Sequence, residues 1–149
     1  MSDNSRFQQV ESARWLAQAS HDIGSAEYLA SGGRYAVACF MAQQAAEKAV
    51  SAYLYARGAE DVWGHAMADL CEDAKAFEPS FELIKPAAIL LDKHYLMTRY
   101  PSALPGGTPA DAYDRQEADR AVEIARETLQ FTAERIKEIF KRINFKVKC

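Results

Sequence analysis

The sequence predicts an all-α protein that folds as an up-and-down helical bundle of four long helices plus a short helix. Alanine, the strongest helix former, occupies 27 of the 149 positions. Apolar residues recur at three- and four-residue steps over long stretches, which is the period of an amphipathic helix. Glycine and proline number only seven and five, whereas a β-sandwich needs turn residues roughly every 8 to 12 positions.

The first two helices are marked by apolar periodicity and by the glycines that end them. The first pattern begins near Ser12 and stops at residues 31–33. Gly24 lies inside this helix at a cost in helix propensity, so we expect a close contact with another helix there. The second helix is expected from about Arg34 to Arg57, before Gly58. Its alanine-rich interior lets neighbouring helices approach closely, which predicts that it is the central helix.

Three further helices follow in the second half of the chain. The first is expected at about 66–77 and the next, after a proline-containing turn, at about 87–97. Residues 98–113 form a long loop, because five of the chain's glycines and prolines fall between Pro101 and Pro109. Asp114, with Glu117 three residues later, is a capping-box signature. It opens a last helix that is expected to reach about residue 143.

Length and charge indicate one domain with a basic end. The chain suits a single domain, which we place at 12–143 between an N-terminal extension, 1–11, and a basic tail, 144–149. The net charge of −3 argues against a dedicated nucleic-acid coat protein. Six basic and two acidic residues nevertheless fall between Glu134 and Cys149. No signal peptide or long apolar run is visible, so we expect a cytoplasmic protein with no membrane partner.

Cysteine, histidine and glycine spacings give no metal, cofactor or phosphate-loop motif. The three cysteines form neither a C-x-x-C pair nor an even set for a disulfide framework: Cys39, Cys71 and Cys149. The histidines are too far apart in sequence for a ligand pair: His21, His65 and His94. The glycine pairs at 32–33 and 106–107 lack the spacing of a phosphate loop. We therefore predict no metal site, no cofactor and no catalytic residue.

The stretch from Tyr95 to Pro101 is the most informative for function. It places Arg99 and Tyr100 at the end of a helix, directly before a proline that fixes the chain direction. Arginine can bind a phosphate or carboxylate bidentately, and a neighbouring aromatic ring can stack on a base. The alternative is that Arg99 pairs with an acidic residue or caps helix carbonyls while Tyr100 packs.

Several blocks occur in an order that is similar to a known family. ACFMAQQAAEKA spans 38–49, GHA spans 64–66 and YLMTRYP spans 95–101. Together they resemble the HEPN family, the higher eukaryote and prokaryote nucleotide-binding domain, over roughly residues 12–140. The resemblance implies a helical bundle that is often a homodimer. In bacteria and archaea it implies a small protein that works beside a minimal nucleotidyltransferase as a toxin–antitoxin pair.

The resemblance also implies a ligand surface. Four residues match positions of the family's polar motif residues: Lys48, His65, Arg99 and Tyr100. Two fixed cations, a titratable donor and a stacking face suit a phosphate-bearing ligand such as a nucleotide. Ribonuclease members carry an Arg-x(4–6)-His motif, but no histidine follows Arg99. Arg14 and His21 on the first helix have the spacing of this motif, but a match of this kind is expected by chance in a chain of this composition. The resemblance is therefore not taken to imply ribonuclease activity.

Three functions stay open on the sequence. The preferred one is a binding or regulatory module that contacts a nucleotide, or a nucleotidyltransferase partner, through the Arg99 region. The alternative is a metal-independent toxin ribonuclease that uses Arg14 with His21, or Arg99 with His65, on RNA. The third is a structural module that self-associates through the apolar seam from Val122 to Ile143, a spacing more typical of a core. The basic segment beyond Glu138 is either a nucleic-acid contact or a solvated helix end.

Overall fold

The protein is an all-α bundle, as the sequence predicts. A computed structural model describes the backbone of residues 3–148 and the side chains of residues 4–142. This part of the chain contains α-helices and short 3-10 turns and no strand. The helices are α1 Asp3–Ser31, α2 Tyr35–Ala56, α3 Met67–Lys75, α4 Lys85–Asp92, α5 His94–Met97, α6 Pro109–Ala112 and α7 Arg115–Lys148, and the 3-10 turns are Pro79–Leu83 and Pro101–Ala103.

Helix α2 is the central helix, and its small side chains explain why. It packs against α1 and α7 along its length and also contacts α3, α4, α5 and α6. Fifteen of its 22 residues are buried, and eight of these are alanines. Removing this apolar surface from water is the main stabilising contribution. Larger rings close the core at one end, where Tyr53 contacts Phe81 with ring centroids 4.6 Å apart and Phe81 contacts Phe131 at 5.1 Å.

Glycines end α1 and α2 where the sequence indicates. Gly33 has φ +79°, and the Arg34 N–H donates back to the Leu29 carbonyl at 2.8 Å. Gly58 has φ +102° and ends α2 in the same way. The expected close helix contact at Gly24 is wrong, because a Cβ there would meet nothing within 4 Å. Helix α1 also begins at Asp3, nine residues before the point where the apolar periodicity becomes visible.

The region between α3 and α7 is more divided than its sequence pattern indicates. The helix expected at about 87–97 occurs as α4 and α5, separated at Lys93, which keeps helical dihedral angles of φ −56° and ψ −27°. The long loop that follows contains one 3-10 turn and the short helix α6. The capping residue of α7 is confirmed, since an Asp114 carboxylate oxygen accepts a hydrogen bond from the Glu117 N–H at 2.9 Å.

Helix α7 places most of its apolar seam inside the bundle. Val122, Ala125 and Ile136 are buried, and Leu129 and Ile139 pack against the core. The seam is therefore largely occupied within one chain. The side chains of its last member, Ile143, and of the basic residues beyond it lie outside the range in which side chains are described, 4–142. Within the described part, none of the helices is both long and apolar enough to cross a membrane.

Candidate functional site

The Arg99 side chain lies among three aromatic rings. Its guanidinium carbon is 4.3 Å from the ring centroid of Phe40, 4.7 Å from that of Tyr95 and 5.1 Å from that of Tyr100. Phe40 comes from α2, Tyr95 from α5, and Tyr100 lies shortly after α5. Such cation–π contacts are each worth about 0.5–1 kcal/mol at exposed sites. Together they hold a planar cation in a fixed orientation at the surface.

Within residues 4–142, one hydrogen bond engages the Arg99 side chain, and its other N–H donors have no partner there. The Nε–H donates to the Tyr95 carbonyl at 2.8 Å, so the side chain caps the end of its own helix. No carboxylate among residues 4–142 forms an ion pair with the guanidinium. Of the two structural alternatives for Arg99, capping therefore occurs, and an ion pair with an acidic residue is not found among residues 4–142. The terminal amino groups stay available for an anion from outside the chain.

His65 stands beside the same aromatic cluster. Its ring stacks on Tyr95 with centroids 5.1 Å apart and planes inclined by 14°, and its side chain is 68% exposed. Nδ1 lies 3.5 Å from a carboxylate oxygen of Glu47. Burial raises the pKa of Glu47 above its usual value of 4.5, while the positive charges of His65 and Lys48 oppose the shift. His65 and Arg99 thus both contact one ring, Tyr95.

A hydrogen-bond network positions the segment that carries His65. Asp92, at the end of α4, accepts hydrogen bonds from the backbone N–H groups of Met67 at 2.8 Å and Ala68 at 2.9 Å. It thereby supplies the N-terminal cap of α3 from another helix. Gln43 on α2 is fully buried and donates to the His65 carbonyl at 2.8 Å and to Asp92 at 3.1 Å. The network connects α2, α3 and α4 directly behind the exposed imidazole.

Lys48 makes a different contact from the other three candidate residues. Its ammonium group forms an ion pair with Asp22 of α1, whose side chain is 5% exposed and also accepts a hydrogen bond from Gln18 at 2.8 Å. The pair joins the two helices with the largest mutual contact. The structure therefore brings His65 and Arg99 together on Tyr95, places Tyr100 beside Arg99, and holds the Lys48 charge against Asp22.

The other chemistry-bearing residues lie apart from this cluster. Arg14 pairs with Glu11 at 2.6 Å, and both Arg14 and His21 are exposed on α1. His94 is half-buried, with Nδ1 3.2 Å from the Tyr113 hydroxyl. Burial raises the pKa values of the Cys39 and Cys71 thiols to about 12, so neither is a thiolate at neutral pH. No cluster of three or more metal-ligating side chains occurs within residues 4–142.

Sequence reasoning missed the groups that organise the site. Phe40 lies in the conspicuous block of α2, and nothing in its spacing indicates that it meets Arg99. Tyr95 precedes Arg99 by four residues, which is one helical turn and a readable signal for a contact. Glu47, Gln43 and Asp92 join the cluster only through tertiary packing.

Comparison with known proteins agrees with this architecture. The sequence-family model of the HEPN domain matches residues 12–136. The chain belongs to the HEPN domain family. No match is found among curated proteins.

Solved HEPN-fold structures resemble the chain over most of its length. The crystal structure of TT1696 from Thermus thermophilus shares 42% identity with a TM-score of 0.79, covering 83% of this chain and 97% of that one. ST0689, an archaeal HEPN homologue, shares 34% identity with a TM-score of 0.70, covering 85% and 98%. A HEPN domain protein from Thermotoga maritima, TM0613, shares 32% identity with a TM-score of 0.67, covering 83% and 98%.

Proposed function

We propose that this HEPN domain is a nucleotide-binding module whose ligand surface is formed by Arg99, Tyr100 and His65. The observation that carries the proposal is the Arg99 guanidinium, framed by three rings and without a carboxylate partner in residues 4–142. A cation fixed before its ligand arrives loses little conformational entropy on binding. The family's name and the order of its motif blocks support the same ligand class.

The chemistry of the surface suits the parts of a nucleotide. The terminal amino groups of Arg99 match two oxygens of a phosphate bidentately. Tyr100 is 50% exposed and offers a ring face on which a base can stack. His65, with Nδ1 3.5 Å from a Glu47 carboxylate oxygen, supplies an exposed imidazole N–H donor. The ammonium group of Lys48 is held by Asp22, so it does not contact the ligand in this proposal. Its positive charge acts on the site from a distance, through its effect on Glu47.

Titration calorimetry of the purified protein with ATP, GTP and their monophosphates tests the proposal. We expect Arg99→Gln to weaken binding by about tenfold or more, which corresponds to about 1.4 kcal/mol for a lost charge-assisted contact. The matched control is Arg14→Gln, which removes the same charge from an exposed position on α1. Equal affinity in wild type and Arg99→Gln, or no binding by wild type, contradicts the proposal.

We further propose that the module works in the cytoplasm as a homodimer and as the regulatory partner of a minimal nucleotidyltransferase. Exposed apolar side chains lie next to the site on α2 and α5: Val37, Leu96 and Met97. Exposed apolar groups that adjoin a polar site are typical of a protein contact surface. The adjacent gene is the direct check, and co-purification of its product with this chain, lost in Leu96→Asp, supports the pairing.

A second candidate is the metal-independent toxin ribonuclease, and one observation favours it. His65 and Arg99 contact the same ring, so a proton-transfer group and a phosphate clamp are close in space although their order differs from Arg-x(4–6)-His. Incubation of tRNA and mRNA with the pure protein separates the two functions. Cleavage that disappears in His65→Ala and persists in the double variant Arg14→Ala, His21→Ala identifies the Arg99 cluster as the nuclease site.

A further inference from the structure

A polar cavity lies at the C-terminal end of α2, away from the Arg99 cluster. It has a volume of about 820 Å³ and is formed by the end of α2, the turn before the first 3-10 segment and the C-terminal half of α7. Three glutamates and five cationic side chains line it, the cations being Arg57, Arg135, Lys137, Lys141 and Arg142. The cavity is thus locally positive in a chain whose net charge is −3.

Two of these cations are held rigidly by the protein. Arg57 Nε donates to the Tyr53 hydroxyl at 3.0 Å, and its guanidinium carbon lies 5.5 Å from the Tyr53 ring centroid. Arg135 Nε donates to the Ser80 hydroxyl at 3.1 Å, and its guanidinium carbon lies 3.4 Å from the Phe131 ring centroid. The hydrogen bond of Arg57 uses its inner nitrogen and leaves both terminal amino groups for a ligand. Arg135 also donates from Nη1 to the Phe131 carbonyl at 3.1 Å, which leaves its Nη2 group for a ligand.

The charges of the cavity are incompletely paired. Among the lining side chains of the described residues, the one ion pair is Arg142 with Glu138, at 3.8 Å. The Glu78 carboxylate accepts a hydrogen bond from the Ser80 hydroxyl at 2.8 Å. Hydrogen bonds from Ser80, assisted by the charges of Arg135 and Arg57, lower the pKa of Glu78, so it stays ionised near both guanidinium groups. Unpaired, preorganised cations around a cavity of this size are suited to an anion.

We propose that this cavity binds a ligand with adjacent phosphate groups, a polyphosphate or the polyphosphate part of a nucleotide, at a site separate from the Arg99 surface. Arg57 holds one phosphate bidentately through its terminal amino groups, Arg135 donates to the next through Nη2, and Lys137 and Lys141 neutralise the remaining charge. Phe40 lies in α2, and Arg57 follows the last residue of that helix, 17 positions later. At 1.5 Å per residue, this separation corresponds to about 25 Å. One ligand of nucleotide size therefore does not reach both sites.

The test is calorimetric titration with tripolyphosphate at low ionic strength, carried out in an Arg99→Gln background so that the Arg99 surface contributes nothing. We expect saturable one-to-one binding that weakens by about tenfold or more in Arg57→Gln, Arg135→Gln. The control is Arg115→Gln, Arg120→Gln, which changes the net charge equally at the far end of α7. We expect that pair to leave the affinity unchanged.

Additional variants test the cavity even if the double arginine variant does not fold. Arg57 and Arg135 contact core rings, so circular dichroism must show that their double variant is folded. If it is unfolded, Lys137→Gln, Lys141→Gln replaces it, because both lysines are exposed, and a several-fold loss is expected. Glu78→Gln removes the competing carboxylate and is expected to tighten binding. The proposal is overturned if the protein with an intact cavity gives no saturable binding, or if the charge-matched control weakens binding as much as the cavity variants do.

ATP and a short single-stranded RNA then distinguish the sources of the phosphates. Equal or tighter binding of ATP than of tripolyphosphate, with the same loss in the cavity variants, supports a free nucleotide or polyphosphate. Binding of RNA alone, with no tripolyphosphate or ATP affinity, overturns the proposal in favour of a nucleic-acid contact.

Discussion

The Arg99 guanidinium carbon lies 4.3 Å from the centre of the Phe40 ring, although the two residues belong to separate parts of the fold. Phe40 lies on the buried central helix α2, and Arg99 follows the short helix α5. The contact therefore connects the start of the long loop to the central, mostly buried helix of the bundle. A side chain supported in this way keeps its orientation with or without a ligand, which is the property expected of a preorganised binding group.

Lys48 is predicted to affect stability more than ligand affinity. Lys48→Ala leaves the buried Asp22 carboxylate with one hydrogen-bond donor, Gln18, and we expect the free energy of unfolding to fall by about 3 kcal/mol. Replacing both partners with apolar residues, Asp22→Leu with Lys48→Met, should recover most of the loss. Lys93→Ala, at an exposed position, is the control. Urea denaturation measures the three values, and a Lys48→Ala protein as stable as the control refutes the prediction.

Asp92 is predicted to be the main support of the segment that carries His65. Asp92→Ala removes the acceptor for two backbone N–H groups of α3 and one amide of the buried Gln43. We expect a loss of about 2 kcal/mol, the upper range for a helix cap. Asp73→Ala, on the exposed face of α3, should change stability by less than about 0.5 kcal/mol. Amide hydrogen exchange should also accelerate at Met67 and Ala68, and unchanged exchange there would contradict the role.

Two glycines, Gly24 inside α1 and Gly33 just after it, are predicted to respond in opposite directions to the same substitution. Gly24→Ala should stabilise the protein by up to about 1 kcal/mol, because the position is helical and a Cβ meets nothing within 4 Å. Gly33→Ala should destabilise it by about 1 kcal/mol or more, because φ is +79° at the end of the helix. Thermal unfolding compares the two directly. Destabilisation by Gly24→Ala would indicate a helix contact outside the single chain.

His94 is predicted to contribute to acid sensitivity. Burial, and next the charge of Lys93, lower the pKa of His94 below its usual value of 6.5. The unfolded chain then binds a proton more readily than the folded protein. The stability that neutral His94 contributes is complete above about pH 6.5 and is lost as the pH falls through the lowered pKa. Between about pH 7 and pH 5, His94→Gln should therefore lose less stability than wild type, and His21→Gln, at an exposed position on α1, is the control variant.

The sequence predicts the helices well and the site only in part. Apolar periodicity and glycine stops locate α1, α2 and α7 because these signals are local. The motif around Arg99 is visible for the same reason, since its residues are consecutive. The role of Phe40 under the guanidinium and the capping of α3 by Asp92 depend on helices that meet only after packing. The cavity between Arg57 and Arg135 is likewise absent from any local pattern, because its two guanidinium groups come from segments that are far apart in the sequence.

The central claim is that a nucleotide binds at the Arg99 cluster, and NMR titration tests it most directly. The Arg99 Nε–Hε signal and the ring signals of Tyr95 and Tyr100 report on the site itself. On addition of ATP or GTP we predict that these signals shift together with one common dissociation constant, that Arg14 stays unchanged, and that the shifts vanish in Arg99→Gln. Saturation of the protein with nucleotide while the Arg99, Tyr95 and Tyr100 signals stay in place would contradict the claim.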